Sequence, residues 1–145
     1  MKDTTDPEQV AAALRVSTGL LLRRLRQVPT EDELTLSETS ALARLDRGGP
    51  TTAAALAKLE QISAQSMGAT LAALQARKLI ERAPDPGDRR RIVISISDAG
   101  REVLRSRRDA RTEALADALS SRFTPAELRQ LADVTPLLER LAQSI

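Results

Sequence analysis

Four residue types that carry much of protein chemistry, cysteine, histidine, tryptophan and tyrosine, are missing from this chain. Without cysteine, the chain can form no disulfide, no thiolate nucleophile and no sulfur-bound metal site. Without histidine, acid–base catalysis would fall to carboxylates or to the three lysines, Lys2, Lys58 and Lys78. The sequence also has no paired acids at metal-ligand spacing and no phosphate-cradling glycine loop. We therefore expect a protein that is not an enzyme and that needs neither a cofactor nor a metal.

Long apolar runs are missing as well. No stretch approaches the length of a membrane span and no signal peptide is visible at the N-terminus, so we expect a cytoplasmic protein that does not enter a membrane. Apolar residues make up 41% of the chain and charged residues 29%, a balance typical of a folded globular protein. The 145 residues are expected to form a single domain, residues 1–145.

Positive charge is concentrated in the middle of the chain. Residues 51–111 carry 12 basic and 7 acidic side chains, a net charge of +5, whereas residues 1–50 have a net charge of −1 and residues 112–145 of −2. A local excess of basic side chains attracts nucleic acid even when the whole chain is nearly neutral. The middle segment is therefore the candidate for nucleic-acid binding.

This basic segment begins with the pattern of two short helices. Thr51 and Thr52 follow a Gly-Gly-Pro breaker, and a threonine there is predicted to cap a helix over Ala53–Glu60. Ser63 offers a second N-cap, and the helix after it places Met67 and Leu71 at helical spacing. Two short helices joined by three or four residues favour a helix-turn-helix.

The second helix has a small, polar face that suits the major groove. No acidic residue lies near its start, so this face could approach base edges without repelling the phosphates. A solvated helix face would have the same composition, and the segment that follows decides between the two interpretations. The DNA-binding residues predicted in this region are Thr52, Ser63, Gln65, Ser66, Ala69, Thr70 and, just after the helix, Arg77.

A β-hairpin is predicted after the second helix. Residues 79–83 and residues 91–96 have the composition of strands, and the second run alternates with Ile92, Ile94 and Ile96 on one side. Between the runs, Pro86 can preset a turn and Gly87 can take the positive φ that follows. The sequence therefore predicts a short hairpin with a tight tip, and Gly87 is predicted to shape it.

The tip of this hairpin is strongly basic. Arg89, Arg90 and Arg91 are adjacent and suit insertion into a narrow minor groove, where negative potential is concentrated. Asp88 would be repelled by phosphates, so we expect it to pair with an arginine such as Arg77 or Arg82 and thereby to fix the hairpin. A helix-turn-helix followed by such a hairpin is typical of a winged helix.

Taken in order, these patterns resemble a known family. The capped helix, the serine-led helix and the segments LQARKLIER, DPGDRRR and ISDAGREVL are similar to the MarR family of bacterial transcription regulators. The Asp-x-Arg signature of that family's hairpin falls on Asp88 and Arg90, and its Leu-Thr-x-x-Gly junction is met by Ile96, Ser97 and Gly100. The resemblance covers nearly the whole chain.

The resemblance implies a mainly α fold with a small β-hairpin. A winged helix-turn-helix over about residues 34–97 would be flanked by dimerisation helices over about residues 6–29 and 98–145. It also implies a homodimeric, sequence-specific transcriptional regulator of double-stranded DNA, usually a repressor, bound to a pseudo-palindromic operator. Recognition helices in such dimers meet half-sites about 10–10.5 bp apart. In the family, a small molecule commonly weakens DNA binding.

The flanking segments are predicted to form long helices rich in leucine. Asp6 followed by Pro7 starts a helix that should end near Val28, and two further helices are predicted over about residues 37–47 and 98–120. Thr124 begins a capping box for the last helix, which Pro136 should kink or break. The apolar surplus that predicts a dimer interface lies at Leu20, Leu21, Leu22, Leu131, Leu137, Leu138 and Leu141.

Two other interpretations stay open: a winged-helix regulator outside this family, and a helical protein-interaction module that does not bind DNA. The second leaves the basic hairpin tip without a role. The sequence also leaves open whether the chain has an effector. If it does, the absence of cysteine excludes a thiol switch, and a small apolar or aromatic acid oriented by an arginine is expected.

Overall fold

The computed structural model describes residues 5–145, and six helices and two strands follow one another within that range. This arrangement confirms the mainly α fold with one β-hairpin. In residues 5–145 no helix is both long enough and apolar enough to cross a membrane. The elements are α1 (Pro7–Arg26), α2 (Leu36–Gly48), α3 (Ala53–Glu60), α4 (Ala64–Ala76), β1 (Ile80–Pro84), β2 (Ile92–Ile96), α5 (Asp98–Arg122) and α6 (Pro125–Ala142).

The chain divides into two compact units. The central unit is residues 29–109 and holds α2, α3, α4, the hairpin and the first part of α5. The terminal unit combines the segment that ends at Val28 with the segment that begins at Ala110, and it holds α1, the rest of α5 and α6.

The buried core belongs to the central unit and is entirely aliphatic apart from Met67. Each of α2, α3, α4 and β2 contributes side chains that are fully buried, and each buried leucine or isoleucine stabilises the fold by about 1.5–3 kcal/mol. This shared core fixes the two short helices against the hairpin. Its largest fully buried members are Leu42, Leu45, Leu56, Met67, Leu71, Leu74 and Ile94.

Side-chain caps determine where the helices of the central unit begin. The predicted caps Thr52 and Ser63 are confirmed, since their hydroxyls accept from Ala55 N and Ser66 N at 3.2 and 3.0 Å. The helix predicted from about residue 37 begins at Leu36 instead. Thr35 forms a capping box with Glu38, accepting from the Glu38 amide at 3.1 Å, and this local motif sets the earlier start.

The hairpin is joined to the start of the helix-turn-helix by backbone hydrogen bonds. β1 pairs antiparallel with β2, with Ile80 opposite Ile96 and Pro84 opposite Ile92. Thr51, just before α3, exchanges two backbone bonds with Ile94, at 3.0 and 2.7 Å. The segment that leads into α3 is therefore held against the outer edge of β2.

Ser97 connects the end of the hairpin to α5. Its hydroxyl donates to the Lys78 carbonyl at 2.7 Å and accepts from the Gly100 amide at 3.1 Å, so it caps α5. Its own amide donates to the Leu79 carbonyl at 3.0 Å. Gly100 is buried against this junction, which leaves no room for a side chain.

The terminal unit has almost no interior of its own. Neither α1 nor α6 contains a buried residue, and Leu20, Leu21, Leu22 and Leu137 each expose 50–53% of their surface. A helix normally buries its apolar stripe against another element. These leucines therefore present an apolar surface that the chain itself does not cover.

Pro136 was predicted to kink or break the last helix, and it does not break it. The helix α6 runs without interruption from Pro125 to Ala142. A proline removes a single backbone donor, and the remaining bonds and the capping box of Thr124 and Glu127 hold the helix on both sides. The Thr135 hydroxyl adds a bond of 3.1 Å to the Leu131 carbonyl in the preceding turn.

We predict that Gly100→Ala destabilises the protein by about 1–3 kcal/mol or more. A Cβ at this position would overlap the Leu79 carbonyl oxygen and lie 2.7 Å from Ile96 Cγ1. Gly68→Ala is the matched control, since Gly68 also lies in a helix but faces open space, and alanine there should add about 0.5–1 kcal/mol of stability. Urea unfolding of both variants measures the difference, and equal stabilities would contradict the close packing at Gly100.

Candidate nucleic-acid interface

The turn between α3 and α4 is set by one residue in the left-handed region. Gln61 has φ 55° and ψ 41° and ends α3, and the Ile62 amide then donates to the Ala57 carbonyl at 3.1 Å. Ser63 starts α4 immediately afterwards. Three residues thus separate the two helices, as in a helix-turn-helix.

One face of α4 is buried and the opposite face is open. Met67, Leu71 and Leu74 lie in the core. Of the residues predicted to contact DNA from this helix, Gln65, Ser66 and Ala69 are exposed and Thr70 is half-buried. The whole helix contains no charged side chain. Its open face can therefore approach base edges closely, and whatever it recognises must be read by neutral groups.

Ser63 and Ser66 act as a pair at the start of α4. The Ser63 hydroxyl donates to Ser66 Oγ at 2.9 Å while accepting from the Ser66 amide. Ser63 is thereby committed to the cap. Ser66 Oγ only accepts in this pair, so its own hydroxyl hydrogen can be donated to a base or a phosphate.

Two other predicted contact residues already have partners within the chain. The Thr52 hydroxyl caps α3, and the Arg77 guanidinium donates through Nη2 to the main-chain carbonyl of Asp32. Arg77 is exposed and retains further donors. Both residues therefore have structural roles, which the sequence pattern did not reveal for Arg77.

The hairpin tip is built by its own aspartates, and two predictions about it are wrong. Asp88 pairs with neither Arg77 nor Arg82; its carboxylate accepts from the Arg90 backbone amide at 3.1 Å. Gly87 does not have a positive φ, because the Asp85 carboxylate accepts its amide at 3.0 Å and closes the turn. An aspartate can bond to the amide two residues later without any unusual backbone angle.

The three arginines of the tip differ in their freedom. Arg91 lies near Asp85, with 3.9 Å between Nε and Oδ2. Arg89 and Arg90 are exposed, and neither guanidinium has a hydrogen bond or ion pair to another residue in the part of the chain that the structure describes. Two cationic side chains thus project from a loop whose backbone is held by side-chain bonds at Asp85 and Asp88.

The arginines along α5 are balanced by carboxylates. Arg101 pairs with Asp98 at 3.0 Å, Arg105 with Glu102 at 2.6 Å and Arg108 with Asp46 at 3.0 Å. Most of these groups are exposed, so the pairs contribute little to stability. They do reduce the net charge of this face and leave the hairpin tip as the stronger site for phosphates.

A buried cluster around Arg107 was not predicted from the sequence. Its side chain is 8% exposed and forms an ion pair with the carboxylate of Asp32, whose side chain is 10% exposed. Arg107 also donates to Thr30 Oγ1 at 3.0 Å. A signal for it was present, since Arg107 follows Leu104 by three residues and so lies on the apolar face of α5.

A second ion pair lies between α2 and α3. Burial raises the pKa of Glu60, but hydrogen bonds from Ser40 and Arg44 and the charges of Arg44 and Arg47 outweigh it, so the pKa is lowered overall. Ser40 Oγ donates to Glu60 at 2.7 Å, and Arg44 donates to it through Nε. Glu60, the last residue of α3, is thus anchored to α2.

Comparisons with known proteins agree with this geometry. A model of the MarR family matches residues 33–91. An HTH-type transcriptional regulator of Mycobacterium bovis, Mb0904, is 34% identical over 128 residues, which cover 87% of this chain and 90% of that protein. The HTH-type transcriptional repressor NicR of Pseudomonas putida is 29% identical over 97 residues, 67% of this chain and 61% of NicR.

A solved structure extends the match to the whole fold. The crystal structure of a transcriptional regulator from Pseudomonas aeruginosa superposes with a TM-score of 0.78 at 34% identity, covering 96% of this chain and 99% of that chain. The match therefore includes the helices on both sides of the helix-turn-helix and the hairpin.

We predict that Glu60→Gln lowers the free energy of unfolding at pH 7 by about 1–2 kcal/mol, the scale of a hydrogen-bonded charge. Because the folded pKa is lowered, this stabilisation is present above the ordinary glutamate pKa of about 4.3 and is lost as the pH falls through the lowered value. Urea unfolding at pH 7 and near pH 3 should show the variant and the wild type converging in acid. Glu102→Gln, at an exposed pair, is the control, and a Glu60 difference that persists in acid would refute the assignment.

Proposed function

This chain belongs to the MarR family and is a transcriptional regulator with a DNA-binding winged-helix fold, and from that premise we propose that it is a repressor that binds a pseudo-palindromic operator as a homodimer. In this proposal, residues 34–97 bind DNA, and residues 6–29 and 98–145 pair two chains in the cytoplasm. The name of NicR, a repressor, supports the direction of regulation.

The observation that carries the proposal is the combination of a neutral α4 with a basic hairpin tip. The exposed face of α4 has the small and polar groups that a helix needs in the major groove, where every base pair presents a distinct pattern. Arg89 and Arg90 project from a fixed loop and are free to enter the adjacent minor groove. We infer that α4 selects the sequence and that the tip supplies sequence-independent affinity.

The exposed leucines of the terminal unit support the homodimer. Neither α1 nor α6 buries a residue within one chain, although both carry leucine-rich stripes. Stable dimers of this kind bury a large, mainly apolar interface that resembles a domain core cut in half. A second copy supplies an identical apolar surface, and a two-fold axis makes such a surface complementary to itself. Two α4 helices would then meet half-sites about one helical turn apart.

The proposed effector is a small apolar or aromatic acid. The central unit has a cavity of about 220 Å³ between the end of α2 and α3, with Arg44, Arg47, Leu56 and Leu59 among its walls. Glu60 forms an ion pair with Arg44, whereas Arg47 lies exposed at the cavity and acts on Glu60 through its charge. An exposed arginine beside two leucines suits a single carboxylate with an apolar body.

We predict that Arg90→Ala and Gln65→Ala have different effects on DNA binding. Arg90→Ala should weaken binding to all sequences alike and reduce the salt slope by roughly 1 for each monomer, because a phosphate-neutralising charge is lost. Gln65→Ala should change the preferred bases at a cost of about 1–3 kcal/mol. The operator is first selected from random DNA, and affinities are then measured on it and on its single-base variants at two salt concentrations.

Arg105→Ala is the matched control for the loss of one arginine, because Arg105 pairs with Glu102 on α5. Asp88→Ala should loosen the tip, so its cost should not add to that of Arg90→Ala. Unchanged affinity and salt slope for Arg90→Ala, together with unchanged base preference for Gln65→Ala, would refute the proposed contacts.

We also predict that Leu137→Glu disrupts the dimer and destabilises the chain. The substitution places a charge on the apolar stripe of α6, where a second copy would bury it. Leu36→Glu is the control, since Leu36 is even more exposed but lies in the central unit. Light scattering at micromolar concentration gives the mass of each variant. A compact wild-type monomer, or a Leu137→Glu protein with the mass of a dimer, would show that the interface lies elsewhere.

A further inference from the structure

Three segments of the central unit meet at Asp32, in the connection before α2. Its carboxylate accepts from Arg107 of α5 and from the Leu34 amide, the latter at 2.9 Å. Its main-chain carbonyl accepts from Arg77, the C-cap residue of α4. One residue therefore joins the connection to both α4 and α5.

The ion pair at this junction is buried on both sides. The side chains of Arg107 and Asp32 are 8% and 10% exposed. Arg107 Nε is buried and has no hydrogen-bond partner among the described residues, so the pair is not optimised for stability. Buried ion pairs often add little stability relative to apolar residues, and their best-attested use is to fix one arrangement of the groups around them.

The group fixed here is the end of α4 and the start of the hairpin. Arg77 is followed by Lys78, which has a left-handed φ of 60°, and Lys78's carbonyl accepts from Ser97. The turn is therefore bonded to two distant segments. Arg77 bonds to Asp32, which lies earlier in the chain, and Ser97, which lies later, bonds to the carbonyls of Lys78 and Leu79. A 13-residue helix is about 20 Å long, so a small rotation at its C-terminal end displaces the contact residues at its start.

We propose that Asp32 is a positioning residue for DNA binding, which holds the recognition helix α4 in its DNA-competent orientation through Arg77 while Arg107 fixes Asp32 itself. The inference rests on the proposed DNA contacts of α4. It gives Arg77 a role different from the direct DNA contact predicted from sequence. In this proposal Asp32 does not itself contact DNA. Its carboxylate is oriented by Arg107 of α5, a helix that does not read bases.

The positioning role and simple electrostatics predict opposite results for Asp32→Asn. Loss of a negative charge from the DNA-binding unit should strengthen binding to a polyanion. Loss of the junction should weaken it, by roughly 2- to 30-fold for a coupling of this kind. Asp32→Asn alone leaves a buried, unpaired arginine, so the decisive variant is Asp32→Asn combined with Arg107→Met, which keeps the net charge of the chain.

The experiment compares this double variant with the wild type on the duplex selected from random DNA and on a mixed-sequence duplex. The expected result is a folded protein whose affinity for the selected duplex falls roughly 2- to 30-fold with an unchanged salt slope. Hydrogen exchange should quicken at the amides of Lys78 and Leu79, which close the end of α4, but not at Met67 in the core. The control is Asp46→Asn combined with Arg108→Met, which removes the ion pair between Asp46 of α2 and Arg108 of α5. This control should bind as the wild type does.

Arg77→Gln provides a second test that leaves the buried pair intact. A positioning role predicts weaker binding with an unchanged salt slope, whereas a phosphate contact predicts a slope lower by roughly 1 for each monomer. The single variants Arg107→Lys and Arg107→Met can also be compared. Arg107→Lys keeps one charged donor for Asp32, so it should retain part of the affinity that Arg107→Met loses. Wild-type affinity in the folded double variant, or a lowered slope for Arg77→Gln, overturns the proposal. Failure of the wild type to select any duplex would instead refute the proposed function.

Discussion

The burial of one face of α4 is the constraint on which the central unit depends. Met67, Leu71 and Leu74 are fully or almost fully buried, and they contact a core that α2, α3 and the hairpin also share. Because the core contains no aromatic side chain, many small aliphatic contacts must hold the helix in place. The helix has no charged residue to anchor it at the surface. The orientation of α4 is therefore determined by the packing of its buried face in the core and by hydrogen bonds at its two ends.

Those end bonds explain how a small unit can present a rigid surface. Ser63 fixes the start of α4, and the bonds of Asp32 and Ser97 fix the turn after it. The hairpin is tied back to the start of α3 through Thr51 and Ile94. The connections before α2, before α3 and between α4 and β1 thus each carry at least one bond from a residue elsewhere in the chain. The terminal unit shows the opposite design, in which long helices leave their apolar residues exposed.

What the sequence could predict was local in origin. Thr52, Ser63 and Thr124 each accept from the amide three residues later, so their motifs identified the helix starts directly. Both strands begin one residue later than predicted, and the second ends where predicted, because β-branched composition does not set register, whereas the pairing of Ile80 with Ile96 does. Gly87 and Asp88 were misjudged because two different aspartate turns can close the same loop. Arg107 and Asp32 are 75 residues apart, and no local pattern shows that they meet.

The neutrality of α4 has a consequence for how such a protein can diverge. Neutral substitutions at exposed positions such as Gln65 and Ala69 change hydrogen-bonding groups without changing charge, and neither residue belongs to the buried face or forms the side-chain bonds at the helix ends. In the proposed function, general affinity for DNA comes from the arginines of the hairpin tip, on a different segment of the chain. After gene duplication, one copy could therefore acquire a new target sequence through changes at a few exposed positions while its fold and its attraction to DNA stayed the same.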